Sequence, residues 1–260
     1  MRAGSLVSKG RAVMRRVRVS AASGSLRREF AGLAAANSLT LDWARNRTQV
    51  NVFREVFRMR EYAAYFPFYE DANILDVGAH FGYFALFASV NTGPGARIVA
   101  VEPSTVNFQC LQANVADCAR TNIQAVRLAV SGENGHARLS VGHSAENSLA
   151  REGSTVIQAY EQVPTVTLGT LLEQVRMPQV DFLKMDCEGS EYDAFGAADQ
   201  SVMERINVVS LEFHDRKSTQ QNGNALVRFL LTSGFSIKAF RYSPTVRGLN
   251  FGRIVASRIH

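Results

Sequence analysis

Cysteine, tryptophan and long apolar runs are scarce in this chain of 260 residues. The three cysteines, Cys110, Cys118 and Cys187, are unevenly spaced and form neither a disulfide framework nor a zinc signature. A reducing, cytoplasmic setting is therefore expected. No stretch approaches the roughly 18 consecutive apolar residues of a membrane-spanning helix, and no secretory apolar core is present. Acidic residues are absent from positions 1–28, which hold eight basic side chains. Without those eight, 21 basic residues face 23 acidic ones, so the body of the chain carries −2 although the whole carries +6. That balance argues against a nucleic-acid-binding fold built around a cationic groove. The basic start suits an anionic membrane surface or plain solvation, and its Arg- and Ser-rich composition is also compatible with an organellar transit peptide.

What is present is a single globular body. The chain is 46% hydrophobic and 20% charged, enough for one large buried core and too varied for a disordered or fibrous chain. We divide it into a basic, partly flexible extension over 1–47 and a domain over 48–260. Phe53, Val56, Phe57, Arg60 and Ala64 recur at helical spacing, which predicts an amphipathic lead-in helix over about 48–66, ending near Pro67. Beyond it, β-rich runs (73–77, 97–101, 124–130, 180–185, 206–213) alternate with helical patterns (83–90, 105–115, 168–175, 191–198). That alternation means a parallel sheet covered on both faces. A helix over 225–232 ending at Gly234, then two runs (235–240, 251–257) with no helix between them, predicts an antiparallel addition at the C-terminal edge. Segments 137–141 and 163–168 read as extra extended pieces.

Two clusters carry chemistry. The first is Ile74–Tyr83, in which an apolar strand enters a turn with glycines at 78 and 82 and then an apolar helix. Parallel sheets bind ligands at this first βα turn. Twenty residues beyond Gly82 a second strand ends in Glu102, placed to accept the hydroxyl protons of a ribose. A dinucleotide turn carries G-x-G-x-x-G, whereas the spacing here is G-x-x-x-G, with Asp76 two residues ahead of Gly78. A carboxylate there repels a pyrophosphate and suits the cationic amino-acid end of S-adenosylmethionine (SAM). The second cluster is Asp186–Cys187–Glu188–Gly189–Ser190–Glu191–Tyr192–Asp193. Ser190 with Asp193 fits a capping box, and Glu191 with Asp193 suits a first helical turn, which leaves Asp186 and Glu188 as site candidates. Strand alternation sets Glu212 and His214 on one face; beside Asp186 and Glu188 they would make a general-base site or a hard divalent-ion site. Lys184 on a buried strand requires an acidic partner.

These blocks together (ILDVGAHFGYFALFAS, IVAVEPSTVNFQCLQANV, VDFLKMDCEGSEYDAF, VVSLEFH) resemble the FkbM-type family of SAM-dependent methyltransferases over roughly residues 70–257. The resemblance implies a Rossmann-like class I methyltransferase fold of the α/β class, with a seven-stranded, mostly parallel sheet. It further implies O-methylation of a hydroxyl on a sugar, glycolipid or polyketide-type molecule. Asp76, Gly78, Ala79, Gly82 and Tyr83 would frame the methionine end, Glu102 the ribose, and Pro103, Ser104 and Ser131 the adenine. Asp186 and Glu188 would face the transferred methyl and the acceptor. The resemblance assigns no base; the strand argument makes Asp186 or His214 the base, with Glu188 and Glu212 orienting it. With a divalent ion such as Mg2+, Asp186, Glu188 and Glu212 would become ligands instead. The rival readings are a nicotinamide-dependent sugar oxidoreductase, a nucleic-acid methyltransferase and a non-enzymatic binding module. No nucleic-acid partner is expected, and assembly into a homo-oligomer is compatible with the sequence.

Overall fold

Strands β1 (Asn73–Val77) and β2 (Arg97–Val101) are buried on both faces, a pattern that needs cover above and below. The computed structural model, which describes residues 24–60, 62, 65, 68–141, 159–216, 220–242 and 251–259, shows that cover. The main sheet has seven strands in the order β3-β2-β1-β7-β8-β10-β9. Here β3 is Ile123–Val126, β7 Val180–Met185, β8 Ile206–His214, β9 Phe235–Tyr242 and β10 Phe251–Arg258. Strands β3 to β8 of this sheet pair in parallel, and β10 is antiparallel to both β8 and β9. The expected antiparallel element is therefore β10, set one place inside the edge, with β9 outermost.

Alternate residues of the central strands feed two separate cores. Leu75 and Leu183 join one that includes residues of α6 (Leu168–Gln174), α7 (Glu191–Gly196), α8 (Gln200–Glu204) and α9 (Gly223–Thr232). Ile74 and Phe182 join the other, with α4 (Tyr83–Asn91), part of α5 (Thr105–Asp117) and the N-terminal helices. Helix α4 is buried from Tyr83 through Ser89 because a second layer lies on it. In that layer α3 (Val50–Arg54) runs into a π turn, Glu55–Met59. Phe53 packs edge-on against Tyr83 at 5.2 Å, and Phe57 against Phe87 at 5.5 Å.

Several sequence expectations change here. The lead-in helix stops at Met59, because Arg60 takes a left-handed conformation (φ 52°) that ends it; Ala64, Phe66 and Pro67 lie outside the described residues. The basic residues up to Arg18 also lie outside them. The boundary at 47/48 is not a packing boundary. Residues 24–36 form α1, Trp43–Asn46 forms α2, and Phe30, Ala34 and Leu39 are buried in the same core as α4. Asn46 sits in a buried polar knot, where Tyr83 Oη donates to its Oδ1 (2.7 Å) and Asn114 exchanges amide hydrogen bonds with it. The expected strand 124–130 is broken after Val126. Ala129–Val130 (β4) instead pairs with β6 (Ala159–Val166), which also pairs with β5 (Gly135–Val141), giving a separate three-stranded sheet. No helix among the described residues is long and apolar enough to cross a membrane.

Gly78 joins the two halves of the site. It has φ 74°, and a Cβ there would lie 1.8 Å from the Asp186 carbonyl oxygen. Gly82 has a similar φ of 80°, but its Cβ would meet only the flexible Leu111 side chain, at 3.1 Å. The left-handed conformation alone costs an alanine about 1–2 kcal/mol. Gly82→Ala should lose roughly that in urea denaturation, and Gly78→Ala distinctly more; equal losses would show that the close backbone approach is not a constraint.

Candidate active site

A cavity of about 900 Å³ opens at the carboxyl ends of β1, β2 and β7, and Gly78, Ala79, Glu102, Pro103, Asp186, Glu188 and Glu212 line it. Its floor is the Gly78 turn, where the N–H groups of Gly78 and Ala79 both donate to Val101 O (3.0 and 2.9 Å). Asp76 and Lys184 are register partners on β1 and β7. Their side chains form a buried ion pair at 3.2 Å, and Lys184 Nζ also donates to Gly78 O at 2.6 Å. Burial raises the Asp76 carboxyl above its usual range while Lys184 draws it back. Burial alone would lower the Lys184 ammonium, but Asp76 and Asp186 hold it above its ordinary value. Asp76 thus faces Lys184 and does not line the cavity, whereas Lys184 does.

Glu102 is 5% exposed and held in a fixed pose. It accepts hydrogen bonds from His80 N (2.8 Å), Ser104 N (3.0 Å) and Asn107 Nδ2 (3.3 Å). Burial pushes its pKa up to about 7, against the pull of those donors. His80, with φ 53°, lines the cavity; burial lowers its pKa to about 4, so the ring is neutral, and neither ring nitrogen has a hydrogen-bond partner among the described residues. Tyr83 touches the cavity, although its hydroxyl is engaged by Asn46. Gly82, Ser104 and Ser131 lie off the wall. Gly82 caps α4, Ser104 caps α5, and Ser131 N donates to Val166 O. Asn107, Leu128, Val130 and Leu139 form that side of the cavity instead.

The acidic corner is assembled as strand alternation suggested. Strands β7 and β8 are parallel neighbours, which brings His214 Nε2 to 3.4 Å from Glu188 Oε2 and Nδ1 to 3.5 Å from Glu191 Oε1. Burial alone would lower the imidazole, but Glu191, Glu188 and Asp186 outweigh it and raise its pKa to about 10. His214 is therefore an imidazolium, and it stands behind the cavity wall. Glu188 has a left-handed backbone (φ 51°), and burial followed by Asp186 raises its pKa to about 8. Glu212 is raised by burial and Asp186, while Arg253 at 2.8 Å offsets part of that. Burial, then Glu191, lifts the Cys187 thiol well above its ordinary value, so it packs as an inert group.

Four residues here escaped the sequence reading. Tyr62 reaches the corner from the far wall, its hydroxyl 3.2 Å from Asp186 Oδ2 and 3.3 Å from Glu212 Oε2. Arg253 neutralises Glu212 and lies 4.4 Å from the centre of the Tyr62 ring. Glu191 is fully buried and does not act as a helix-end charge. Its Oε1 accepts from Cys187 N (3.0 Å) and Gly189 N (3.1 Å), locking the loop that presents Glu188. The Ser190–Asp193 capping box is absent: Ser190 makes no side-chain cap, and Asp193 pairs with Arg216 at 3.2 Å. Arg216, the fourth, also donates to Gly189 O. As for metal ligation, the side chains that converge are Asp186, Glu191 and His214, with donor atoms within 4.8 Å of one another. Glu188 and Glu212 are engaged by His214 and Arg253, so the Asp186, Glu188 and Glu212 set expected from the sequence is not the set that converges.

A strand-end cavity on a seven-stranded sheet in the order β3-β2-β1-β7-β8-β10-β9, with β10 antiparallel to its neighbours, is the architecture of a class I methyltransferase. The profile described as "Methyltransferase FkbM domain" matches residues 76–242, and the chain belongs to this family of SAM-dependent methyltransferases. Among curated proteins, the 31-O-demethyl-FK506 methyltransferase FkbM of Streptomyces tacrolimicus is 27% identical over 238 residues, 80% of this chain and 89% of that protein. Methyltransferase 1 of Beauveria bassiana is 25% identical over 211 residues, 74% of this chain and 83% of that protein. Among solved structures, a precorrin-6y C5,15-methyltransferase from Geobacter metallireducens aligns with a TM-score of 0.46 at 15% identity, covering 82% of this chain and 90% of that one. Family membership sets aside the nicotinamide-dependent reading.

Breaking a buried ion pair by removing one partner costs about 3–5 kcal/mol, because the other charge is stranded. Asp76→Asn should lose about that much stability in urea denaturation, and adding Lys184→Met should recover part of it. Additive losses would mean the two charges are not coupled.

Proposed function

We propose that the chain transfers a methyl group from SAM to a hydroxyl of a sugar, glycan or polyketide-type small molecule. The observation that carries this reading is one cavity bounded by Glu102, fixed by three donors, and by the acidic corner at Asp186 and Glu188. The residues fit the donor. Glu102 is posed to accept two ribose hydroxyls, Leu128, Val130 and Leu139 give an apolar slot for adenine, and the Gly78–Ala79 backbone leaves room for the methionine portion. Bound there, SAM supplies a methyl group on a positively charged sulfur.

The protein's own work is to align the acceptor, exclude water and take its proton. Asp186 and His214 were the base candidates of the sequence, but the geometry favours Glu188. His214 is already protonated and lies off the wall, and Asp186 Oδ2 is engaged by Tyr62. Glu188 lines the cavity, is held through Oε2 by His214, and titrates near the working pH, where a general base is most effective. Its left-handed backbone is the kind of strain that concentrates at functional positions. Asp186, Tyr62 and Glu212 then orient the hydroxyl, and Arg253 and His214 balance the corner's charge.

Calorimetric titration with S-adenosylhomocysteine (SAH) should show saturable binding, and Glu102→Ala should weaken it by about tenfold or more, as expected for hydrogen bonds to a charged group. Unchanged affinity in that variant would refute the ribose role. With an acceptor in hand, kcat/KM should rise with pH through about 8 as Glu188 loses its proton. In Glu188→Gln that limb should vanish along with most of the rate. Retention of the limb would move the base elsewhere.

A further inference from the structure

The acceptor side of the cavity carries a row of three side chains, of which methyl transfer as described uses two and leaves the third, Arg241, without a task. Antiparallel pairing sets Glu212 of β8 opposite Arg253 of β10, and Arg253 opposite Arg241 of β9. Directly opposed residues on antiparallel strands project to the same face, and all three line the cavity. Glu212 neutralises Arg253 at 2.8 Å. Arg241 is left beside a like charge with no carboxylate paired to it among the described residues. Because Glu212 already neutralises Arg253, Arg241 stands exposed at the cavity rim as a guanidinium that the sheet's own charge pairing does not use. Arg60 lines the cavity as well, from the N-terminal layer. It follows the π turn in a left-handed conformation, its guanidinium 5.1 Å from the centre of the Phe87 ring, and it too has no carboxylate partner among the described residues. π turns and left-handed non-glycine residues are both over-represented at functional positions.

We propose that Arg241 and Arg60 bind an oxyanion, a carboxylate or a phosphate, carried by the methyl acceptor. The acceptor class is then an acidic polyol, such as a sugar acid or sugar phosphate, and neutral hydroxyl compounds are poor substrates. This rests on the methyl-transfer reading and adds direction to it. The corner's cationic groups, His214 and Arg253, are already held by carboxylates, so the anionic end is left to the two arginines and a hydroxyl end faces Glu188. The planar fork of a guanidinium matches both carboxylate and phosphate. No atom of the acceptor other than its hydroxyl proton and oxygen takes part in the chemistry.

The test is calorimetry on the full chain, first with SAH alone and then with SAH-loaded protein titrated with glucuronate, glucose 6-phosphate and neutral glucose. At least one anionic probe should bind at least tenfold more tightly than glucose, and whichever does tells carboxylate from phosphate. Arg241→Gln should weaken that probe by about tenfold, as for loss of a charged hydrogen bond, while SAH affinity stays within twofold of the parent. The melting temperature of this variant should be unchanged, since Arg241 is exposed and has no carboxylate paired to it among the described residues, and that separates lost binding from unfolding. Equal binding of glucose and the anions, no binding of either anion to protein that does bind SAH, or an unchanged anion affinity in Arg241→Gln would each overturn the proposal. Failure to bind SAH would instead overturn the methyl-donor reading beneath it.

Discussion

The site depends on one buried contact, the ion pair between Asp76 on β1 and Lys184 on β7. The two residues are direct register partners in the centre of the sheet, and neither has meaningful access to water. Lys184 also donates to the carbonyl of Gly78, so a single ammonium ties the end of one strand to the turn that follows it and to its neighbour. The glycine turn is pressed so closely against the Asp186 backbone that no side chain fits at position 78. The Glu102 side and the Asp186–Glu188 side of the cavity are therefore built on one rigid joint, the kind of preorganised alignment that catalysis draws on. A charge pair in this position adds little stability over an apolar pair of similar size; what it contributes is fixed geometry.

Charge balance organises the rest of the corner. Four carboxylates, Asp186, Glu188, Glu191 and Glu212, meet two cationic side chains, His214 and Arg253. Burial and then the neighbouring carboxylates keep the Glu188 proton on to about pH 8, whereas attraction to Glu191, Glu188 and Asp186 overcomes burial and holds the His214 imidazolium to about pH 10. With its folded pKa raised above the unfolded value near 6.5, His214 contributes stability that is full below about pH 6.5 and is lost as pH rises through about 10. The corner thus stays cationically clamped over the range in which Glu188 changes charge. A positively charged methyl donor suits such a surface, and a pyrophosphate does not.

Much of the architecture was legible from the sequence because it is local. Continuous apolar runs of five or six residues announce strands buried on both faces, and G-A-H-F-G between a strand and an apolar helix announces the ligand turn. Period-two alternation was enough to set Glu212 and His214 on the face where Glu188 is met. The unreadable parts depend on contacts distant in the chain. Tyr62 sits in a segment whose spacing reads as helix, yet it works as a reach across 124 residues to Asp186. Arg253 matters only because β10 inserts between β8 and β9. Glu191 looked like a helix-end charge, as its position in the first turn of α7 suggests, but the backbone amides of Cys187 and Gly189 fold back onto it. Lys184 declared its need for an acid without declaring that the acid was Asp76, which left Asp76 free to be read as a ligand for the cofactor.

If the cavity is the place of a sulfonium nucleoside, Glu102 takes its sugar and the acidic corner faces its reactive end. A crystal structure of the protein grown with SAH tests that directly. The expected density has both ribose hydroxyls within hydrogen-bond distance of Glu102, the adenine between Leu128 and Val130, and the sulfur on the Asp186–Glu188 side of the Gly78 turn. SAH bound elsewhere, or in this cavity with its ribose turned away from Glu102, would contradict the account.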